Sequence, residues 1–196
     1  MNLYKFLEKP KIYNFFEKIL SLGNKSCKKC LLELIKSKDT DLLLDVGCGT
    51  GKYAESLPGE YYGIDVNKDY IDYAKKNYKG NFSVMDATDL RFSDNKFNSV
   101  FIISILHHMS DEDVVAALSE MERVCKKNGR IVIVEAVYPS KLNFIGYVLF
   151  KLDRGKYTRT MGCLRNLLEK KSFNLLYDNI RGSFPYKFGV FIYQKL

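Results

Sequence analysis

The fold of this chain is decided by residues 42–51, which read Leu42-Leu43-Leu44-Asp45-Val46-Gly47-Cys48-Gly49-Thr50-Gly51. Four apolar residues around one acid are typical of a buried strand. The three glycines that follow at every second position predict a tight loop before a helix. Glycine at such positions leaves room for a ligand to touch the backbone. The stretch therefore predicts the first strand and the ligand-binding loop of an α/β domain.

A second acid, Asp65, stands twenty residues after Asp45. It closes the short apolar run Tyr61-Tyr62-Gly63-Ile64, which predicts a second strand. In a βαβ nucleotide site this spacing places a carboxylate on the ribose hydroxyls. The pair of acids therefore predicts a nucleotide-like ligand at the ends of the first two strands.

The spacing of the glycines indicates which nucleotide is bound. A dinucleotide fingerprint needs its third glycine three residues after Gly49, where this chain has Lys52. An acid at the end of the first strand would also repel a phosphate, and it suits a ligand that carries an ammonium or sulfonium charge. An NAD-dependent reductase is therefore disfavoured.

The run from Asp45 to Gly51 resembles the first motif of the class I S-adenosylmethionine-dependent methyltransferases. The resemblance covers about residues 40–137, where the glycine loop, Asp65, Asp86 and the segment 102–108 recur in the order that the family has. It implies a Rossmann-like, doubly wound α/β fold with helices on both faces of a seven-stranded, mostly parallel sheet, the last strand being antiparallel. It also implies a methyltransferase whose cofactor is S-adenosylmethionine and whose product is S-adenosylhomocysteine. The alternative is a glycine-rich turn in another α/β protein.

The same resemblance implies a set of cofactor contacts. Asp65 would bind the ribose hydroxyls, and Asp86 would accept a hydrogen bond from the adenine amino group, although an aspartate there is also a common turn residue. The cofactor-binding residues predicted in this way are Asp45, Gly47, Cys48, Gly49, Gly51, Asp65, Val66, Asp86, Ala87 and Ser104.

His107 and His108 are the only histidines of the chain, and they follow the apolar run 99–105, which predicts a central strand. Methyl transfer from a sulfonium needs mainly the alignment of donor and acceptor. A histidine can still remove a proton from a hydroxyl or amine nucleophile. We predict His108 as this base and His107 as the second candidate. The alternative is that the pair only shapes the loop beside the adenine.

Hydrophobic periodicity and capping residues predict the other elements. Helices are expected over residues 3–36 with interruptions, over 52–57, from Asn67 to 77–80, from Ser110 to Asn128-Gly129, and from Thr160 onward. Strands are expected over 61–65, 82–85, 99–105, 130–135, 173–178 and 187–194. The short connection between the last two strands predicts a hairpin, and hence an antiparallel final strand. We divide this single domain into N-terminal helices (1–40), a cofactor-binding core (41–137), and a lid with the C-terminal hairpin (138–196).

Composition predicts a cytoplasmic protein of one domain. The chain has 196 residues, of which 46% are hydrophobic and 28% charged, as is typical of soluble domains. No apolar run is long enough for a membrane span, and the N-terminus lacks a signal-peptide core. Five scattered cysteines indicate reduced thiols. Cys27-x-x-Cys30 has no second pair and no nearby histidine, so no metal site is predicted.

The charge is unevenly distributed along the chain. Its net charge of +8 divides into +5 for residues 1–40, −5 for 41–138 and +8 for 139–196. Basic flanks favour an anionic acceptor or surface, the alternative being a solubilising lysine-rich exterior. The apolar run 142–152 predicts a lid or an interfacial helix, which would permit peripheral membrane contact. Arg154 and Arg159 follow it and are the predicted acceptor contacts, since arginine binds phosphate or carboxylate in a fork.

The predicted function is methyl transfer to an oxygen, nitrogen or carbon nucleophile of a small-molecule or lipid-like, anionic acceptor. The chain has neither the Asn/Asp-Pro-Pro-aromatic run nor the Pro-Cys pair of two kinds of base methyltransferase. Gly51-Lys52-Tyr53 and Ser104-x-x-His107-His108 resemble the tRNA wobble-uridine methyltransferases, so an RNA acceptor is the alternative. A module that binds S-adenosylmethionine without catalysis is the alternative of another class.

Overall fold

A computed structural model describes Pro10 and residues 31–137, 155–169, 174–181 and 187–196. Its strands are β1 (Leu42–Val46), β2 (Glu60–Asp65), β3 (Asn81–Val84), β4 (Phe97–Ile103), β5 (Cys125–Val137), β6 (Asn174–Arg181) and β7 (Lys187–Gln194). They form one sheet in the order β3-β2-β1-β4-β5-β7-β6. The pairs among β1 to β5 are parallel, and β7 is antiparallel to both β5 and β6. The predicted seven-stranded sheet with an inserted antiparallel last strand is confirmed.

Helices cover both faces of the sheet, as predicted. They are α1 (Lys68–Asn77), α2 (Asp111–Val124), α3 (Met161–Leu168) and a 3-10 helix (Leu106–His108), and residues 31–35 are also helical. The 31–35 segment and α1 share one buried cluster with Leu43, whereas α2 and α3 share the other with Leu44. Because neighbouring strand residues point to opposite faces, the two clusters lie on opposite sides of the sheet.

Strand β4 carries some of the most deeply buried side chains of the core. Val100, Phe101 and Ile102 of β4 are each at most 1% exposed, which confirms β4 as a central strand buried on both faces. Polar side chains that the strands carry to their ends are therefore held on a rigid frame. This frame positions the site described below.

Each of the helices α1, α2 and α3 begins after its predicted cap residue. The side-chain oxygens of Asn67, Ser110 and Thr160 accept hydrogen bonds from backbone N–H groups two or three residues further on. A cap of this kind contributes about 1 kcal/mol to stability. The caps fix where α1, α2 and α3 start relative to the strand ends.

Two predicted elements are wrong. Residues 52–56 form turns instead of a helix, with the three-residue hydrogen bonds from Ala54 N–H to Gly51 O (3.1 Å) and from Ser56 N–H to Tyr53 O (2.9 Å). Pro58, which cannot donate a helical bond, follows too soon for an α-helix to propagate. Helix α2 ends at Val124 and not at Asn128-Gly129, because the chain enters β5 at Cys125, where it pairs with β4.

Several predicted features lie outside the described residues, namely the helices before residue 31, the lid at 142–152, Arg154 and the Cys27-x-x-Cys30 pair. The division of the chain into helices, core and lid stays a prediction. Within the described ranges, no helix is both long and apolar enough to cross a membrane.

Candidate active site

The loop after β1 has a backbone that only glycine adopts easily. Gly47 and Gly51 have φ angles of 75° and 81°, in the left-handed region. A Cβ atom on Gly47 would lie 2.5 Å from Ile105 Cγ1, and one on Gly51 would lie 2.9 Å from Ala74 Cβ. The loop is therefore packed against β4's end and α1 without any side chain of its own in between.

Asp65, at the end of β2, fastens this loop to its neighbouring strand. Its Oδ2 accepts a hydrogen bond from Gly49 N–H at 3.0 Å, and its Oδ1 accepts one from Asn67 N–H at 2.8 Å. Burial raises the pKa of this carboxyl, and the two backbone donors oppose that rise. Each carboxylate oxygen has two lone pairs, so Asp65 can bind further hydroxyl donors without releasing the loop.

Asp45 is the most buried acid near the loop, with 1% of its surface exposed. The Tyr61 hydroxyl donates to its Oδ2 at 2.5 Å. Burial raises the pKa of Asp45 to about 7; the Tyr61 hydrogen bond opposes the rise, and the charge of Asp65 adds to it. Near neutral pH this carboxyl is therefore poised between its two protonation states, and a cation beside it would hold it ionised.

Two side chains of the loop point into the protein. The Cys48 thiol is buried, which raises its pKa, so Cys48 offers a ligand no reactive sulfur. Lys52 stands where a dinucleotide site has its third glycine. Burial lowers the pKa of its ammonium to about 8, and Nζ lies 4.6 Å from the centre of the Tyr53 ring.

Four more predicted cofactor residues lie at the same edge, after β2, β3 and β4. Val66 is 67% exposed, an unusual degree for an apolar side chain next to a buried acid. Oδ1 of Asp86 accepts hydrogen bonds from Thr88 N–H (2.8 Å) and from the Thr88 hydroxyl (2.7 Å). Ala87 is half-buried, and Ser104 is a left-handed residue with φ 54°. The adjacency of the strands brings these residues to one edge, and their contacts with a cofactor stay a prediction.

The loop after β4 contains a buried histidine–carboxylate pair that sequence reasoning missed. His107 is 5% exposed, and its Nδ1 lies 2.5 Å from Oε1 of Glu135, which is itself 2% exposed. Glu135 also accepts backbone hydrogen bonds from Leu106 N–H (2.7 Å) and Ala136 N–H (2.9 Å). His108 is exposed, with its ring centre 4.2 Å from that of His107. Glu135 thus fixes the orientation of His107 and not that of His108.

Arg159 clamps the same loop from the C-terminal part of the chain. Its guanidinium donates to the carbonyls of Leu106 (2.7 Å) and Met109 (2.9 Å), and twice to Oδ1 of Asp111 (2.9 and 2.5 Å). Arg159 is 8% exposed. These contacts favour a structural function for Arg159, and its predicted contact with an acceptor stays a prediction.

The segment 155–160 lies over the His107 ring. Tyr157 N–H donates to His107 O at 3.0 Å, and a Cβ atom on Gly155 would lie 2.3 Å from His107 Cδ2. Glycine at position 155 is therefore required for this close approach. The chain that follows the predicted lid is thus attached to the loop that carries the histidines.

Glu135 had one sequence signal that could have revealed it. It is the only charged residue in the apolar run 131–137, and a carboxylate in a buried strand needs a hydrogen-bonding partner. Nothing in the pattern says that the partner is His107, twenty-eight residues earlier. The Asp111–Arg159 pair has no local signal.

Comparison with known proteins places this geometry in a family. Residues 44–133 match the family model described as a methyltransferase domain. The chain is 33% identical over 143 residues to demethylmenaquinone methyltransferase of Thermotoga maritima, covering 69% of this chain and 62% of that protein. It is 35% identical over 106 residues to the O-methyltransferase cnsE of Penicillium expansum, covering 48% of this chain and 38% of that one. The chain thus spans less than two thirds of the length of these relatives.

A solved structure has the same fold. Magnesium protoporphyrin IX methyltransferase from Synechocystis PCC 6803, with bound SAH, superposes with a TM-score of 0.72 at 18% identity. The match covers 100% of this chain and 96% of that one. At this identity the likeness concerns the architecture of the sheet and its helices.

Proposed function

We propose that this chain, which belongs to the class I S-adenosylmethionine-dependent methyltransferase family and has S-adenosylmethionine as its cofactor, transfers a methyl group to a small-molecule acceptor. The observation that carries the proposal is the bond between Asp65 and Gly49 N–H, which joins the glycine loop to the acid at the end of β2. That contact holds a carboxylate beside the glycine loop, and the lone pairs that its oxygens keep would accept hydroxyl donors of a ligand. No phosphate-binding feature is needed for it.

The chain's residues would hold the cofactor as follows. Asp65 would accept hydrogen bonds from the ribose hydroxyls, and the exposed Val66 would pack on the adenine, whose amino group would donate to Asp86. The carboxyl of Asp45 would lie on the side of the positively charged methionine part, where a cation favours its ionised form. The bound cofactor supplies an electrophilic methyl group to the acceptor.

His107, oriented by Glu135, is the proposed proton acceptor. It would accept the proton that a hydroxyl or an acidic C–H of the acceptor loses as its oxygen or carbon takes up the methyl group, and S-adenosylhomocysteine would be the product left in the site. The Glu135 carboxylate, 2.5 Å from Nδ1, stabilises the imidazolium that forms. His107 is the histidine that Glu135 orients, which is why the proposal moves from His108 to its neighbour.

The proposed acceptor is small and lipid-like, with a quinone as the first compound to test, because the Thermotoga maritima relative is named for demethylmenaquinone. An anionic group on the acceptor and a cytoplasmic location are part of the same proposal, supported by the +8 charge of residues 139–196. Methylation of tRNA and binding without catalysis are the competing outcomes of the test.

The test incubates the purified chain with methyl-labelled S-adenosylmethionine and, in separate samples, with demethylmenaquinone chemically reduced to its quinol, whose ring carbon and hydroxyls are nucleophilic, or with bulk tRNA. We expect label in the quinone. Label in tRNA alone would overturn the small-molecule proposal. Saturable cofactor binding with no label in either substrate, or in a whole-cell extract, would favour the non-catalytic module.

Replacement of Asp65 tests the cofactor site itself. Asp65→Ala removes a charged hydrogen-bond acceptor, and such bonds are worth about 1.5–3 kcal/mol, so we expect cofactor affinity to fall roughly 10–100-fold. Isothermal titration with S-adenosylmethionine measures the loss. The control is Asp89→Ala, an exposed acid in the loop after β3, whose affinity should stay within twofold of the wild type. Equal losses in both variants would contradict the assignment.

Replacement of each histidine separates the two candidate bases. His107→Gln should lower the turnover number by on the order of 10²–10⁴, the usual contribution of a general base, and leave cofactor affinity unchanged. His108→Gln should change turnover by less than about threefold by the same argument. The reverse pattern would restore His108 as the base, and no effect of either variant would show that the acceptor needs none.

A further inference from the structure

A pocket opens at the amino edge of the sheet, opposite the edge that carries the glycine loop. Its volume is about 250 Å³, and Asp41, Asn98 and Ser99 line it where β1 and β4 begin. Strand β4 has seven residues and rises about 3.3 Å per residue, so roughly 20 Å separates this pocket from the cofactor edge. The pocket is therefore distinct from the site described above.

The lining of this pocket is strongly cationic. It contains one carboxylate, Asp41, whose Oδ2 already accepts the N–H of Lys38 at 2.9 Å. Against it stand five cationic side chains: Lys36, Lys38, Lys126, Lys127 and Arg130. This charge lies within the acidic core segment 41–138 and at its border, so it does not follow from the overall basic composition.

Two donors, one from a lining residue and one from a residue beside the pocket, are buried without a partner among the described residues. Nε of Arg130 is shielded from solvent and makes no hydrogen bond within those ranges, and the same holds for the hydroxyl of Ser37, between two lining lysines. A buried donor without a partner costs free energy that a bound acceptor would recover. Arginine binds the oxygens of a phosphate group through such N–H groups.

The irregular first part of β5, residues 126–130, carries three of the five cations and is fixed by backbone contacts. Asn128 N–H donates to Lys195 O (2.9 Å), and Lys195 N–H donates to Gly129 O (3.1 Å). A Cβ atom on Gly129 would lie 2.7 Å from both Cys125 Sγ and Lys126 O, so only glycine fits there. Nζ of Lys126 donates to Asn98 Oδ1 at 3.0 Å, so one of these cations is itself tied to the lining, and all three line a site whose backbone is already ordered.

We propose that this pocket binds a small phosphate-bearing anion. Pockets for drug-sized ligands have about 300–1,000 Å³, so a volume of about 250 Å³ suits an anion of the size of phosphate or pyrophosphate. The donors are guanidinium, ammonium and hydroxyl groups, which are the groups that recognise phosphate oxygens in proteins. An extended nucleic-acid backbone would need a continuous groove instead.

The test titrates the full chain with inorganic pyrophosphate at constant ionic strength by isothermal titration calorimetry. We expect saturable binding at one site. The double variant Lys36→Glu/Lys127→Glu should weaken it at least tenfold, whereas the control Lys75→Glu/Lys79→Glu, which reverses two exposed lysines in and after α1, should change it less than twofold.

Three results would overturn the proposal: no saturable binding to the wild type, equal weakening in both double variants, or binding of a short RNA without binding of pyrophosphate. A parallel titration with S-adenosylmethionine keeps this test separate from that of the proposed function. Pyrophosphate should leave the affinity for S-adenosylmethionine unchanged. Competition between the two would show that pyrophosphate binds at the cofactor edge of the sheet, and it would refute a separate anion site at the amino edge. Equal affinity for ADP would identify the bound group as a diphosphate moiety, and a preference for pyrophosphate would identify the free anion; both outcomes support the proposal.

Discussion

Two buried carboxylates stand at the carboxyl ends of the central strands, and they are held in opposite ways. Glu135 accepts two backbone N–H groups and lies against the His107 ring, whereas Asp45 accepts one hydroxyl, that of Tyr61. Both are at most 2% exposed. The first acid has its partners within the protein, and the second has spare capacity. Glu135 therefore holds the loop after β4 in place, whereas the oxygens of Asp45 keep lone pairs that a bound ligand could use.

The loop after β1 and the loop after β4 also differ in the kind of contact that holds them. The loop after β1 is shaped by glycine conformation and by short backbone bonds, such as those from Gly47 N–H and Cys48 N–H to Ile64 O, both 2.8 Å. The loop after β4 is held by two side chains from later in the chain, Glu135 of β5 and Arg159 from the segment before α3. Backbone hydrogen bonds therefore fix the shape of the first loop, whereas side chains fix the position of His107 in the second.

The largest effect is expected from removing the carboxylate that builds the loop. Glu135→Ala leaves His107 and two buried N–H groups without their acceptor, and each buried donor left unsatisfied costs about 1–3 kcal/mol, so a total loss of about 3–5 kcal/mol is expected. Urea denaturation should show that loss in the free energy of unfolding. Glu55→Ala, at an exposed glutamate beside the glycine loop, is the control and should stay within about 0.5 kcal/mol. A cost below 1 kcal/mol for Glu135→Ala would show that Glu135 is dispensable to the loop.

The second effect concerns pH and the carboxyl with spare capacity. The pKa of Asp45 is about 7 in the folded chain and 3.8 ordinarily, so the folded state binds this proton more tightly than the unfolded state. Stability is therefore fully present below about pH 4 and is lost as pH rises through 7. At about 1.36 kcal/mol per pKa unit the loss is up to about 4 kcal/mol. Asp45→Asn should remove it, as measured by urea denaturation between pH 4 and 8.

The control for this prediction is Asp39→Asn, at an exposed acid, which should keep the wild-type pH profile. Saturating S-adenosylmethionine should also flatten the wild-type profile, because a cation beside Asp45 favours the ionised form. Identical profiles for the wild type and Asp45→Asn would show that Asp45 does not govern the pH dependence.

The contrast between the two loops also explains what the sequence could predict. The glycine loop, Asp65 and Asp86 follow strands in a fixed order, and their spacing is local, so the fold was predictable from residues 42–86, whereas ligand binding at this edge of the sheet stays a prediction. The His107–Glu135 contact joins residues twenty-eight positions apart, and Arg159 is forty-eight positions from Asp111. Such pairs arise from the alignment of β4, β5 and the segment before α3, which no local pattern encodes.

The helix predicted over residues 52–57 fails for a related reason. Its apolar spacing is compatible with a helix, but Gly59, with a φ of 114°, passes so close to Asp41 O that a Cβ atom there would lie 2.6 Å from it. The chain must therefore turn back to β2 at once. A long-range packing requirement overrides a local preference here, as it does at His107.

The smallest effect is expected from the clamp on the β4 loop, which can be compared with an exposed pair of the same chemistry. Arg159 and Arg165 each form a two-bond contact with an aspartate, Asp111 and Asp178 respectively. Arg159 is 8% exposed and the Arg165 side chain 45%. Lysine keeps the charge but not the planar fork, so each Arg→Lys change removes hydrogen bonds without leaving an uncompensated acid.

We expect Arg159→Lys to lower the free energy of unfolding by about 1–2 kcal/mol, because the carbonyls of Leu106 and Met109 lose a donor that solvent cannot replace. Arg165→Lys should cost less than about 0.5 kcal/mol, since exposed ion pairs contribute little. Urea denaturation of both variants gives the comparison directly. The Asp111 side chain is itself 63% exposed. Equal costs would mean that water replaces the hydrogen bonds of Arg159 in the variant, and that Glu135 alone positions His107.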